Sequence, residues 1–320
     1  MNICCVVVTY NRKKLLLECI NALQNQTYKL SKIIIIDNNS NDGTEKYLYE
    51  NGVFESDIID YQYQSKNLGG AGGFYQGIRK SLQEHYDWVW IMDDDTIPTE
   101  NALENFIIAL DVLKEEKVSF LCSKVIGINN EEMNLPSISK RLDENSYPIW
   151  MKYLNKSIIE VEDATFVSLL VRTDAIKKVG LPWKEFFIWG DDTEYTMRLT
   201  TMYGTAYVVG NSVVIHKRLG PSNLSILEEE NEKRILMYRY QFRNGLINAK
   251  EYFGNKIVFR IIGGNIKTIF KIFLKSKNKI LKSRVIVGGT CDYLFKRYDY
   301  KSFKNRGEYN EDLNRKKIED

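Results

Sequence analysis

Short β-type runs alternate with amphipathic helical stretches through the first half of this chain, and that order commits it to helices packed on a largely parallel sheet. The apolar runs Ile3–Val8, Ile33–Ile36, Ile58–Tyr63, Trp88–Met92 and Val118–Ile126 read as strands. Between them lie helical patterns from about Lys13 to Asn25, over Thr44–Glu50, after Gly73, and from Glu100 to about Glu115. The fold class is therefore α/β. Farther along, residues 129–160 are polar and irregular, Ala164–Val171 reads as a strand, Thr173–Val179 as a short helix and Tyr207–Ile215 as a strand. Ligands of open α/β sheets bind outside the carboxyl ends of the strands. Thr9 to Arg12, Asp37 to Ser40, Asn67 to Gly73 and Asp93 to Asp95 all fall at that edge.

The triplet Asp93-Asp94-Asp95 carries the clearest chemistry. Three carboxylates directly after a buried strand call for a cation, and oxygen ligands suit Mg²⁺ or Mn²⁺, which in turn hold phosphates. A solvated acidic turn is the plainer alternative, but the neighbouring segments weigh against it. In Asn67-Leu68-Gly69-Gly70-Ala71-Gly72-Gly73, four glycines in five positions let a backbone approach a ligand and open a helix with free N–H groups. The run is neither a Walker loop nor a dinucleotide fingerprint.

Phe186 to Tyr195 places aromatic residues before Asp191 and Asp192, where a new helix starts. A helix cap accounts for one of those carboxylates, not for both, and a general base accounts for the other. His216 closes a strand with Lys217 and Arg218 beside it, where its imidazole can join the carboxylates on a metal. Arg239 and Arg243 stand at i and i+4 on one helix face, a spacing that suits a phosphate or a plain solvated face.

These segments together resemble the family 2 inverting glycosyltransferases of GT-A fold, and more narrowly their bacterial galactofuranosyltransferase branch. The resemblance runs from Val6 to Asn244 and includes Trp189-Gly190-Asp191-Asp192-Thr193-Glu194-Tyr195. It implies that Asp93, Asp95 and His216 hold the metal and that Asp192 is the base. It further implies that Thr9, Arg12, Asp37, Asn67, Gly69, Gly70 and Asp94 meet the donor, Arg12 and Asp37 on its uridine. Trp189 and Asp191 would seat a sugar. Gly190 departs from the pattern, since the branch more often has Trp directly before the two Asp residues.

The implied partners are a UDP-sugar donor and a glycan or polyprenyl-diphosphate-linked glycan acceptor. A rhamnosyl- or other hexosyltransferase of the same fold is an alternative. A metal-dependent nucleotidyltransferase also gathers carboxylates near glycines, but it needs no aromatic-Asp-Asp segment.

Composition narrows the rest. With 320 residues, 44% of them hydrophobic, the chain can bury one large core or two modest ones. We expect a catalytic domain over 1–225 and a helical, basic region over 226–320, opening with a helix from Glu228 to about Phe253. Residues 255–306 hold fourteen Lys or Arg against Asp292 and Asp299 alone. Interleaved aromatic and aliphatic residues suit that stretch either to an anionic membrane surface or to a packed helical subdomain. No nucleic-acid module accompanies the charge. Five cysteines without a C-x-x-C pair read as reduced thiols, and no apolar run reaches the ~18 residues of a span. The expectation is a cytoplasmic protein, peripheral on the inner face of the plasma membrane.

Overall fold

The computed structural model describes residues 1–218, 225–299, 301 and 303. Ten strands form one sheet: β1 (Ile3–Thr9), β2 (Lys32–Asp37), β3 (Ile59–Tyr63), β4 (Trp88–Asp93), β5 (Thr96–Pro98), β6 (Val118–Ile126), β7 (Glu132–Met133), β8 (Ile158–Val161), β9 (Leu169–Arg172) and β10 (Thr205–His216). Its order is β3-β2-β1-β4-β9-β6-β10-β5, with β7 on β6 and β8 on β10.

The run β3-β2-β1-β4 is parallel, as the alternation predicts. β9 lies antiparallel to both β4 and β6, so those two point the same way, and β10 is parallel to β6. The carboxyl ends of β1, β2, β4 and β10 therefore share one edge and carry Thr9, Asp37, Asp93 and His216 there.

Only Asp94 and Asp95 separate β4 from β5, although β9, β6 and β10 lie between those strands in the sheet order. Four strand spacings in a flat sheet would span ~19 Å, whereas three Cα–Cα steps reach at most ~11 Å. The sheet must therefore curl. The curl brings β10 back to the acidic turn, where His216 pairs in register with Thr96 and the Lys217 N–H donates to the Asp95 carbonyl at 2.8 Å.

Strand alternation builds a core on each face. Ile3, Cys5 and Val7 pack with Leu16, Cys19 and Ile20 of helix α1 (Lys13–Gln24) and Phe106 of α4 (Ala102–Val112). Cys4, Val6 and Val8 turn toward Phe74 and Ile78 of α3 (Gly69–Ser81), and this second core continues to Ile176 of α5 (Thr173–Val179) and Tyr195 of α6 (Asp191–Met202). Helix α2 (Thr44–Glu50) lies between β2 and β3 in the chain. The five cysteines are free thiols.

Three sequence expectations change. Residues 129–160 contain β7, most of β8 and two single 3₁₀ turns, so they are less irregular than their polarity suggests. The helix expected after Gly73 already begins at Gly69, because Asn67 Oδ1 accepts the Gly69 N–H at 2.8 Å and the glycines pack closely. A Cβ on Gly73 would sit 2.5 Å from Val8 Cγ1. The single helix expected from Glu228 starts instead at Glu232, where Asn231 Oδ1 accepts the Arg234 N–H at 3.2 Å. This helix, α7 (Glu232–Asn248), passes into a π turn over Ala249–Phe253, and α8 (Asn255–Lys275) and α9 (Lys279–Leu294) follow. No helix among the described residues is long and apolar enough to cross a membrane.

Candidate active site

The curl converts distant residues into one cluster. Ligand atoms of Asp93, Asp95 and His216 all lie within 4.8 Å of one another. Asp94 turns aside: it accepts the Thr9 hydroxyl at 2.7 Å and one Arg12 nitrogen at 3.2 Å. The same Arg12 nitrogen donates to Asp95 Oδ2 at 2.6 Å.

The chemistry of these donors fits a divalent cation. His216 Nδ1 lies 2.9 Å from Asn134 Oδ1, an acceptor that places the ring proton on Nδ1 and leaves a lone pair on Nε2. Nε2 is 3.2 Å from Asp95 Oδ1, a buried oxygen that accepts no aligned hydrogen bond. Two lone-pair atoms facing each other in a buried site repel unless a cation lies against both. Charge tells the same story. Burial, then the charges of Asp95 and Asp94, push Asp93 well above the ordinary carboxylate range. Burial also acts on Asp95, but the Arg12 guanidinium opposes it and that carboxyl is held low.

A second pair of carboxylates sits at the positive end of α6, where the helix dipole favours negative charge. Asp191 is 7% exposed, and burial followed by the charge of Asp192 raises it to about 8. Asp192 is half-buried and is raised by the same desolvation, against the Thr193 N–H that its Oδ1 accepts at 2.7 Å. Its Oδ2 has no protein partner among the described residues. The charge of Asp191 also reaches Asp93, so the two clusters share one electrostatic site.

The loop before α6 is strained and held from several sides. Phe187 (φ 63, ψ −60) closes a three-residue turn in which the Ile188 N–H donates to the Phe186 carbonyl at 2.7 Å. Trp189 follows at φ 61 and Gly190 at φ 85. Such conformations persist where the surroundings over-determine them. Asn244 Nδ2 of α7 reaches the carbonyls of Phe186, Ile188 and Trp189 at 3.0, 3.1 and 2.7 Å, and Asn248 Nδ2 donates to the Gly190 carbonyl at 2.8 Å. From the other side the Ala71 N–H donates to the Phe187 carbonyl at 3.1 Å, and a Cβ on Gly69 would lie 2.1 Å from that oxygen.

Several sequence assignments shift against this geometry. Arg12, expected on a uridine with Asp37, is paired with Asp94 and Asp95. Asp37 is buried at the end of β2, where its oxygens accept the Ser40 N–H at 2.7 Å and the Tyr61 hydroxyl at 2.5 Å. Asn67 is exposed and starts α3, Gly69 faces the 187 loop, and of the expected cradle only Gly70 opens onto free space.

Arg239 and Arg243, expected to meet a phosphate, both contact protein groups. Arg239 makes two bonds to Asp292 of α9 at 2.6 and 2.8 Å, and buried Arg243 donates to the Glu185 carbonyl at 2.6 Å. Both guanidinium groups hold helices and loop together. Trp189 packs its ring on Tyr238 at 5.0 Å, so part of the aromatic wall belongs to the helical region. Sequence reasoning missed Asn134, Tyr61, Asn244 and Asn248. Asn244 closed a segment already singled out, whereas Asn134 sits in an irregular connection with no signal of its own.

Comparison with known proteins reaches the same place. The sequence profile of Glycosyl transferase family 2 matches residues 4–180, more than half of the chain, so the chain belongs to that family. The galactofuranosyltransferase GlfT1 of Mycolicibacterium smegmatis is 26% identical over 207 residues, 62% of this chain and 65% of that protein. The chain thus spans just under two thirds of that relative. An uncharacterized glycosyltransferase of Rickettsia typhi is 24% identical over 304 residues, 92% of this chain and 89% of that protein.

Among solved structures, S. aureus TarS 1–349 in complex with UDP shares the fold at TM-score 0.54 and 14% identity, over 95% of this chain and 74% of that one. GalNAc-T7 with UDP, GalNAc and Mn²⁺ gives 0.55 at 12% identity, over 79% and 52%. The curled sheet of this chain is that of the GT-A fold.

Proposed function

We propose that this chain is an inverting glycosyltransferase that moves galactofuranose from UDP-galactofuranose onto a glycan or lipid-linked glycan acceptor. The observation that carries the reaction class is the pairing of two unlike carboxylate groups in one site. Asp93 and Asp95 meet His216 at the sheet edge, while Asp192 stands apart at a helix start with one oxygen free. The galactofuranosyl choice rests on the likeness to GlfT1, and the UDP donor also draws on the likeness to TarS.

In this reading Asp192 takes the proton of an acceptor hydroxyl as its oxygen attacks the anomeric carbon. The new C–O bond forms on the face opposite the departing diphosphate, which leaves with the electron pair, and configuration inverts. The raised proton affinity of Asp192 makes it a better base than a surface carboxylate. When bound by Asp93, Asp95 and His216, Mn²⁺ or Mg²⁺ supplies Lewis-acid stabilisation of the diphosphate charge. Asn134 fixes the imidazole for that task.

The test is to incubate the protein with UDP-galactofuranose, UDP-galactopyranose, UDP-glucose and dTDP-rhamnose plus Mn²⁺, and to measure nucleotide release with and without a lipid-linked acceptor. Release from UDP-galactofuranose alone, increased by acceptor, is expected. Selective turnover of dTDP-rhamnose overturns the choice of sugar.

A further inference from the structure

Helix α8 divides its apolar residues between two faces. Val258 and Ile272 are buried against the neighbouring helices, with Ile261, Ile262 and Ile269 partly buried beside them. Phe259, Ile266, Phe270 and Phe273 are 72, 53, 68 and 52% exposed. At 100° per residue those four fall within about a 60° wedge, centred roughly 110° around the helix from the buried face. Leu274, 79% exposed, extends its margin.

The next sector of the same helix is basic. Lys256, Arg260, Lys267, Lys271 and Lys275 are all exposed, and α8 contains no Asp or Glu. None of the five forms an ion pair among the described residues. Leaving three aromatic rings in water is unfavourable for a monomer, and a contiguous apolar patch of that kind marks a docking surface.

We propose that the outward face of α8 is a membrane-docking surface that lies in the interface of an anionic lipid bilayer. Phe259, Ile266, Phe270 and Phe273 enter the acyl boundary, and the flanking basic residues meet lipid phosphates. Charge selects this occupant over a second copy of the chain. Two such faces packed together would set unpaired cations against each other, whereas an anionic surface neutralises them. The partly separate inward stripe keeps the helix fixed to the protein while the outward one is engaged. This goes beyond the proposed reaction and does not depend on which sugar is transferred.

The test is sedimentation of the full chain with phosphatidylglycerol-containing vesicles and with pure phosphatidylcholine vesicles. The wild type is compared with the triple variant Phe259→Ser/Phe270→Ser/Phe273→Ser and with Lys267→Glu/Lys271→Glu. All five side chains are exposed, so thermal melts and nucleotide release should match the wild type. Binding to the anionic vesicles is expected to fall roughly tenfold or more in either variant, and to weaken with salt in the wild type. Equal sedimentation of wild type and triple variant overturns the proposal. So does a concentration-dependent dimer, seen by analytical ultracentrifugation without vesicles, that the triple variant abolishes.

Discussion

Asp191 and Asp192 are neighbours with different prospects. Asp191 is buried, with its proton affinity raised to about 8, while Asp192 keeps one oxygen open. Replacing Asp192 by Asn keeps its shape and the Thr193 contact but removes the proposed base, so kcat should fall ~10²- to 10⁴-fold with UDP affinity unchanged. Steady-state rates with UDP titration check this; full transfer activity would sink the assignment.

For Asp191 the sign of the pH effect follows from linkage. Its folded form holds a proton that the unfolded chain has lost, so the stability it contributes is present at low pH and is lost as pH rises through the raised value. Asp191→Asn should therefore gain stability relative to wild type between about pH 4 and about pH 8. Urea denaturation at several pH values measures the gap, and a constant gap contradicts the argument. Asp93, Asp95, Asp191, Asp192 and His216 were legible because titratable residues directly after apolar runs or before a helix stand out. Asn134 and Tyr61 were not, since neutral side chains in loops and edge strands acquire a role only when the sheet closes on them.

At the scale of elements, α7 braces the loop that leads into Asp191 and Asp192. Asn244, fully buried, serves the carbonyls of a loop whose backbone is strained at Phe187 and Trp189. Asn244→Ala leaves those carbonyls unsatisfied and should cost ~1–3 kcal/mol of stability. Relaxation of the loop should also lower kcat more than it changes donor KM, because Asp191 and Asp192 follow directly. Thermal melts and kinetics on one preparation separate the two effects; unchanged kcat would remove the brace.

Arg239→Ala is the contrasting case. It breaks a pair with Asp292 in which the arginine side chain is 54% exposed, so donor KM should stay within about twofold while stability falls by ~1 kcal/mol or less. A tenfold rise in KM would restore the phosphate role. The i, i+4 spacing correctly put both arginines on one face; it could not say that Asp292, some fifty residues on, faces them. Spacing along a helix reports direction, and the partner is decided by packing.

The whole molecule was legible as an α/β sheet but not as a curled one. Alternation fixes strand direction locally, whereas the curl follows from β5 leaving β4 after two residues and pairing with β10 instead. The division expected between 1–225 and 226–320 meets a similar limit, since a change in composition marks where charge changes and not where contacts stop. A cluster of Ala71, Trp183, Phe186, Ile247 and Phe303 joins α3 and the 183–190 loop to α7, with the Trp189 and Tyr238 rings packed at a tilt beside it. Trp183 is 4% exposed and packs its ring on Phe186, Tyr298 and Phe303, so losing the C-terminal helical region would return it to water.

Burial of large aromatic rings contributes roughly 1.5–3 kcal/mol each, and the Asn244 and Asn248 bonds add polar contacts that neither half can satisfy alone. The two parts should therefore unfold together. Differential scanning calorimetry is expected to give one endotherm whose midpoint coincides with the loss of tryptophan fluorescence. Asn244→Ala/Asn248→Ala should lower that midpoint for the whole molecule. Two resolved transitions in the wild type, one of them leaving the tryptophan signal unchanged, would mean that the helical region folds as a unit of its own.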